Sequence, residues 1–152
     1  MRINPYWVSG FVDGEGTFYV GINKNTTMKS QFQVLPEFRI VQHEKDIKVL
    51  YALKKYFQSG VVRQNHDTRQ ELRIRSLEHI NKYVIPHFDK YELLTQKKFD
   101  YIKFKKIINL MNQKNHLSID GLKEIIAIAS KMNRQEKIMA PKILAELESY
   151  HE

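Results

Sequence analysis

The sequence contains no cysteine, which excludes disulfide bonds and zinc sites built on thiolates. Its six histidines show no HxxxH or HxH spacing, so carboxylates would have to hold any metal ion. No run approaches the roughly 18 apolar residues that a membrane span needs, and no long apolar stretch of the secretory kind follows Met1. We therefore expect a soluble, intracellular protein that has no targeting signal and no membrane partner.

Acidic residues are outnumbered, with 17 Asp and Glu against 25 Lys and Arg, for a formal net charge of +8. This excess points to a polyanionic partner, although a basic ribosomal or membrane-surface protein would have the same balance. The 152 residues, of which 42% are hydrophobic, are enough for one compact domain with a core.

Periodicity and capping residues predict alternating helices and strand pairs. Asn4-Pro5 is a helix start, because an Asn side chain caps free N–H groups and proline suits the first helical position. Apolar residues at helical spacing or in alternation mark the other elements. The predicted helices are Pro5 to Asp13, Glu44 to Phe57, Leu77 to Ile85, Thr95 to Gln113 and Ser118 to Met132. The predicted strands are Thr17 to Asn23, Gln31 to Gln42, Val61 to His66 and Glu71 to Ser76.

The order of these elements, αββαββα followed by further helices, predicts an α+β fold. Four antiparallel strands would bury one face on helices and leave the other face open. We assign residues 1–133 to this domain and residues 134–152 to a C-terminal helical tail.

Residues 7–16, WVSGFVDGEG, resemble the signature of the LAGLIDADG homing endonuclease family over its full length. The stretches 38–42, 93–100 and 117–133 are similar to downstream segments of the same family, so the resemblance covers residues 4–133. One signature fits either a natural homodimer or one half of a two-motif protein.

The resemblance implies a homodimeric, Mg²⁺-dependent nuclease that cuts both strands of a long, near-palindromic DNA site across the minor groove and leaves short 3′ overhangs. Ca²⁺ or Mn²⁺ would occupy the same metal sites. It also implies an intron-encoded protein of a mitochondrion or chloroplast.

The glycines of the signature suggest a helix interface. Gly10 and Gly14 lie four residues apart on one helical face, which would let two such helices approach closely. Alternatively, Gly10 packs in the core and Gly14 breaks the helix. We expect Gly10, Asp13 and Gly14 at the dimer interface.

Glu15 follows the C-terminal end of the first helix, where the helix dipole disfavours an anion. A two-fold axis through a helix pair would bring a second Glu15 near it, and two carboxylates call for a cation. Mg²⁺ suits this donor set, with the Gly14 carbonyl as a further ligand. The alternative is a solvated turn glutamate.

Two further residues match the active-site positions of the family. Gln42 ends the second strand on its core parity and would orient a water molecule, although a Gln bonded to local backbone is the alternative. Lys97 matches a basic residue that the family places beside the scissile phosphate. A surface lysine is the alternative, and Lys98 is not separated from Lys97 by sequence alone.

The open sheet face carries side chains suited to reading bases, since Arg pairs with guanine, Asn and Gln with adenine, and Glu with cytosine. A solvated sheet face would also be polar. Lys24 and Lys29, in the loop between the first two strands, are expected to contact phosphates. By strand parity the face comprises Tyr19, Asn23, Gln31, Gln33, Glu37, Arg39, Arg63, Asn65, Glu71, Arg73 and Arg75.

Two other functions fit the same scaffold: an RNA-binding intron maturase and a DNA-binding protein that does not cut. The presence of Glu15, Gln42 and Lys97 favours the nuclease, because loss of the acid would be expected in a regulator that does not cut.

Overall fold

The computed structural model describes residues 1–133 together with 145, 146, 148 and 149. The described chain divides into two compact units. The first unit comprises Met1–Phe18 and Glu37–Phe99, and the second comprises Tyr19–Pro36 and the described residues from Asp100 onward. Apart from those four positions, the predicted helical tail at 134–152 lies outside the described residues. No helix in the described part of the chain is long and apolar enough to cross a membrane.

The first helix, α1, spans Pro5–Glu15. It begins as predicted, with the Asn4 side chain accepting a hydrogen bond from the Tyr6 N–H at 2.8 Å. It ends two residues later than predicted, because Gly14 remains helical and Glu15 forms the last turn. At Gly16 the chain becomes extended, and an added Cβ there would lie 2.6 Å from Val12 Cγ1, so only glycine fits this exit.

The four predicted strands are confirmed: β1 (Gly16–Lys24), β2 (Phe32–His43), β3 (Val61–His66) and β4 (Arg69–Ile74). They form one antiparallel sheet in the order β1-β2-β4-β3. Gln31 was predicted to start β2, but its φ of 69° turns the chain, and β2 begins at Phe32. In the β2–β4 register, Phe38 lies opposite Ile74 and Arg39 opposite Arg73.

The remaining helices also match their predicted positions, with shifted ends. One correction concerns the stretch from Leu77, which continues five residues past Ile85 to Lys90. A π-helical segment, Ile80–Val84, precedes Pro86 there, so the proline lies in a first turn where its missing N–H is tolerated. The helices are α2 (Ile47–Phe57), α3 (Leu77–His79), α4 (Ile85–Lys90), α5 (Lys97–Asn112) and α6 (Ile119–Ala129).

The core of the first unit is built on four packed aromatic rings: Phe18, Phe38, Phe57 and Phe88. All are essentially inaccessible to solvent, and the ring centroids of Phe38 lie 5.1–5.5 Å from the other three. Phe18 and Phe38 come from strands, Phe57 ends α2 and Phe88 lies on α4. Helices therefore cover the face of the sheet that carries the even-numbered apolar residues of β1 and β2.

The second unit has its own apolar core. Alternating strand residues such as Val20 and Phe32 are buried, as are Phe104 and Ile108 of α5 and Ile125 of α6. The α6 helix starts at Ser118, whose hydroxyl accepts a hydrogen bond from the Gly121 N–H at 3.1 Å.

Candidate functional site

Glu15 is the last residue of α1 and is exposed. Within the part of the chain that the structure describes, its carboxylate forms no hydrogen bond or ion pair. It lies at the negative end of the helix dipole, which makes a nearby cation favourable. Gly14 beside it is also exposed, so its carbonyl and the carboxylate offer hard oxygen donors.

The donor set around Glu15 is small. Among the described residues no group of three or more His, Asp or Glu side chains is placed to hold a metal ion. A divalent cation at Glu15 would therefore need ligands from outside a single chain, such as a second carboxylate or phosphate oxygens.

Lys97, the first residue of α5, lies beside the signature. Its ammonium group donates a hydrogen bond to the carbonyl oxygen of Gly16, the residue that follows Glu15. Lys98 points elsewhere and forms an ion pair with Glu92 at 3.5 Å. The structure thus brings Lys97, and not Lys98, to the end of α1.

Asp13 is bound within the chain, although the sequence predicted it at a dimer interface. Its carboxylate accepts hydrogen bonds from the Leu94 N–H at 3.0 Å, the Thr95 N–H at 3.2 Å and the Thr95 hydroxyl at 2.7 Å. Thr95 Oγ1 in turn accepts from the Lys97 N–H at 3.3 Å. Asp13 therefore ties the end of α1 to the residues that precede α5. Sequence reasoning placed Thr95 in the predicted helix and missed this contact.

Gln42 lies at the end of β2, opposite Gln70. Its amide oxygen accepts a hydrogen bond from the adjacent His43 N–H at 2.9 Å, which is the local bonding that the sequence left open. Its role in orienting water remains a prediction.

One face of α1 carries two glycines and three aromatic residues. A Cβ added at Gly10 or Gly14 would meet no atom within 4 Å, so neither glycine is required by packing inside the chain. Tyr6 is 71% exposed and Trp7 is 44% exposed, and the Trp7 ring stacks on Phe11 at 4.8 Å between centroids. This face, Tyr6, Trp7, Gly10, Phe11 and Gly14, is called the open face of α1 below.

The opposite face of α1 is fixed by a buried hydrogen-bond network that sequence reasoning missed. The Ser9 hydroxyl donates to the Tyr91 carbonyl and lies 3.0 Å from His87 Nε2, while the Tyr56 hydroxyl lies 2.8 Å from His87 Nδ1. Because the Ser9 proton is given to Tyr91, His87 Nε2–H donates to Ser9, and Nδ1 accepts from Tyr56. Burial lowers the pKa of His87 to about 4 and keeps the ring neutral. The Ser–His pair is thus structural, since neither group is arranged to activate a nucleophile.

On the polar sheet face of the first unit, Glu37 is surrounded by arginines. Arg75 Nε donates to Glu37 Oε1 at 2.8 Å, Arg39 Nε lies 3.2 Å from Oε2, and Arg73 Nε lies 3.8 Å from Oε1. The Glu37 side chain is only 6% exposed. The sequence predicted the parity of these residues but placed Glu37 as an open reader of bases.

A second carboxylate on the same unit, Glu71, has a similar environment. Its side chain is 6% exposed, with Arg63 Nε 3.5 Å from Oε1 and Asn65 Nδ2 donating to Oε2 at 3.4 Å. Arg63 lies directly opposite Glu71 in the β3–β4 register, and the register shifts at Asn65.

The polar residues of the second unit differ in exposure and in their contacts. Asn23 and Lys29 are exposed, and the Gln33 amide oxygen accepts from Asn25 Nδ2 at 3.2 Å. Lys24 forms an ion pair with Glu146 at 3.0 Å. Tyr19 and Gln33 are half-buried and alternate with buried residues of β1 and β2, as the strand parity predicted. Gln31 is also half-buried but precedes β2.

The chain resembles known endonucleases along most of its length. Residues 8–108 match the family described as LAGLIDADG endonuclease. Probable intron-encoded endonuclease 3 of Neurospora crassa is 36% identical over 137 residues, which are 88% of this chain and 25% of that protein.

Two solved structures share the fold. The crystal structure of the homing endonuclease I-TnaI has a TM-score of 0.91 at 51% identity, over 97% of this chain and 99% of that chain. I-SmaMI, bound to an uncleaved DNA target in the presence of calcium ions, has a TM-score of 0.86 at 36% identity, over 88% of this chain and 46% of that chain. The chain thus spans nearly all of the I-TnaI chain, under half of I-SmaMI and a quarter of the Neurospora relative.

Proposed function

The chain belongs to the LAGLIDADG endonuclease family, and from this premise we propose that it is a site-specific double-strand DNA endonuclease that acts as a homodimer with Mg²⁺. The observation that carries the proposal is the position of Glu15. It is an exposed carboxylate at the end of α1, and the Lys97 ammonium is held at the next residue. The name of the Neurospora relative supports a gene located in an intron, and we extend the family's organellar setting to this chain.

Double-stranded DNA is the substrate that the charge and the sheet face favour. The formal net charge of +8 attracts phosphates. Arg39, Arg63, Arg73 and Arg75 supply donors suited to guanine. The related I-SmaMI is bound to a DNA target in its structure.

A homodimer is supported by the open face of α1. Two copies of this face can meet closely, because Gly10 and Gly14 present no side chain and exposed aromatic residues flank them. One Glu15 cannot serve two strands on opposite sides of a duplex, whereas two related by a dyad can.

A divalent cation fits the donor chemistry at the end of α1. Glu15 and the Gly14 carbonyl offer oxygen ligands of the kind that Mg²⁺ prefers, and the remaining positions suit water and phosphate oxygens. When bound, such an ion activates water and stabilises the leaving oxygen. The calcium in the I-SmaMI structure supports divalent binding in a relative.

The chain's own residues have distinct roles in this proposal. Glu15 holds the cation, and Lys97 places positive charge where the scissile phosphate gains negative charge. Gln42 orients the attacking water through its amide group. The amide oxygen already accepts a hydrogen bond from the His43 N–H.

The test is selection of cleaved sites from a randomised DNA library with Mg²⁺, using the parent and Glu15→Gln. We expect the parent to cut both strands at a defined site and Glu15→Gln to bind that site at least as tightly without cutting it, because a negative charge near phosphate is removed. Glu78→Gln, at an exposed carboxylate on α3, is the charge control and should cut normally. Undiminished cleavage by Glu15→Gln, or full activity in excess EDTA, would refute the proposal.

A further inference from the structure

Two carboxylates on the polar sheet face are nearly inaccessible, although this face is otherwise open. Glu37 and Glu71 are each 5% exposed. Carboxylates are almost never buried to this extent unless they are paired with positive groups. Their burial therefore indicates that contacts within the chain, and not with solvent, determine their positions.

At Glu37 both carboxylate oxygens are engaged by arginine. Arg75 donates to Oε1 at 2.8 Å, and Arg39 faces Oε2 at 3.2 Å. Arg39 and Arg73 are directly opposite in the β2–β4 register, an arrangement in which like charges repel. The Glu37 carboxylate offsets this repulsion and holds the three guanidinium groups together.

Glu71 has the same role on a smaller scale. It pairs across the strands with Arg63 and accepts from Asn65, which lies where the β3–β4 register shifts. A bulge of this kind re-aims a side chain, so the bond from Asn65 fixes a direction that the backbone alone would leave variable.

In all four arginines Nε lies 2.8–3.8 Å from a carboxylate oxygen. An arginine has five N–H donors, and the two terminal amino groups carry four of them. A carboxylate on Nε is therefore compatible with a bidentate contact from the terminal amino groups to guanine O6 and N7.

We propose that Glu37 and Glu71 are positioning residues for sequence recognition, which hold the arginines and Asn65 ready for base contacts and do not contact bases themselves. This inference rests on the proposed function, since it assigns the recognition of DNA to the sheet face. Fixing a long side chain before binding removes an ordering cost that binding would otherwise incur, equivalent to about tenfold in affinity for each side chain.

The experiment compares Glu37→Gln and Glu71→Gln with the parent in binding selections from a randomised duplex pool. Each substitution keeps the shape and an acceptor oxygen but removes the charge. Glu78→Gln, at an exposed carboxylate on α3, is the matched charge control. Alanine variants of Arg39, Arg63, Arg73 and Arg75 identify the base pairs that each arginine reads.

We expect Glu37→Gln to reduce discrimination about tenfold at the positions that Arg39→Ala, Arg73→Ala or Arg75→Ala also affects. Glu71→Gln should do so at the different positions that Arg63→Ala affects. Glu78→Gln should strengthen binding to all sequences alike and leave the site profile unchanged. If thermal unfolding shows that Glu37→Gln or Glu71→Gln does not fold, the profile of the other variant is used for the test.

Two results would overturn the inference alone. In the first, the parent selects a defined site and both variants have profiles that match Glu78→Gln. In the second, the Glu37→Gln profile changes at a cytosine that no arginine variant alters, which would make Glu37 a direct reader. A parent with no sequence preference would instead refute the proposed function itself.

Discussion

Protonation of His87 should couple the stability of the first unit to pH. The ring is 6% exposed, and burial lowers its pKa to about 4 from an ordinary value of 6.5. In the unfolded chain the ring takes up a proton near pH 6.5, whereas in the fold it remains neutral until about pH 4. Stability attributable to the neutral ring is therefore fully present above pH 6.5 and is lost as the pH falls through this window.

The size of the effect follows from the two pKa values. The difference between 6.5 and about 4 corresponds to about 3 kcal/mol of unfolding free energy, of which about 2 kcal/mol is lost by pH 5. Domains of this kind are typically stable by about 5–15 kcal/mol, so the change is large enough to measure.

Urea unfolding at pH 7, 6 and 5, at fixed ionic strength and protein concentration, measures this loss. His87→Gln should be less stable than the parent at pH 7, because it disturbs the bonds to Ser9 and Tyr56, but its stability should fall less between pH 7 and pH 5. His66→Gln, which removes a histidine whose side chain is 80% exposed, should retain the parental pH dependence. If the His87→Gln and parental stabilities fall in parallel, the neutral buried ring is not the cause.

Four further outcomes are expected. Lys97→Met should slow cleavage about a hundredfold and Lys98→Met should have little effect, in single-turnover assays; equal losses would contradict the assignment. Asp13→Ala should lower the unfolding free energy by about 1–2 kcal/mol in urea titrations and slow cleavage, because the segment before α5 loses its hydrogen bonds to α1; unchanged values would contradict this link. Gly10→Leu should yield folded monomers in sedimentation, and a folded dimer would refute the interface. Lys29→Ala should reduce the salt dependence of DNA binding by about one unit of slope without changing the site profile; an altered profile would make Lys29 a reader.

The fold was largely predictable because periodicity and capping are local properties. The alternation in β1 and β2 placed Phe18 and Phe38 on one face, and Asn4-Pro5 located the start of α1 to the residue. The predicted ends of the helices and strands were less accurate. The predicted helix ended at Ile85, before Pro86, whereas the π-helical segment Ile80–Val84 leads into α4, which has Pro86 in its first turn.

The site was predictable only in part, because long-range partners decide what each polar side chain does. Residue type and parity placed Glu37 on the sheet face, but the three arginines that bury it come from two strands and from the residue after β4, so their meeting depends on register. Likewise, Asp13 meets Thr95 across 82 positions of sequence. Lys97 and Lys98 are distinguished by their partners, Gly16 and Glu92, which local sequence does not indicate.

The residues of the signature have different roles on different sides of α1 and at its end. Val8, Ser9 and Val12 face inward, where Ser9 joins the His87 network, and Gly10 and Gly14 keep the open face free of side chains. Residue 13 must accept hydrogen bonds from the residues that precede α5, and residue 16 must be glycine because Val12 leaves no room for a Cβ. Glu15 is the one acidic residue of the signature that these contacts leave exposed. A substitution at any other position of the helix would therefore affect cleavage indirectly, through stability, pairing or the placement of Lys97, whereas a substitution at Glu15 should affect the chemistry while leaving the fold intact.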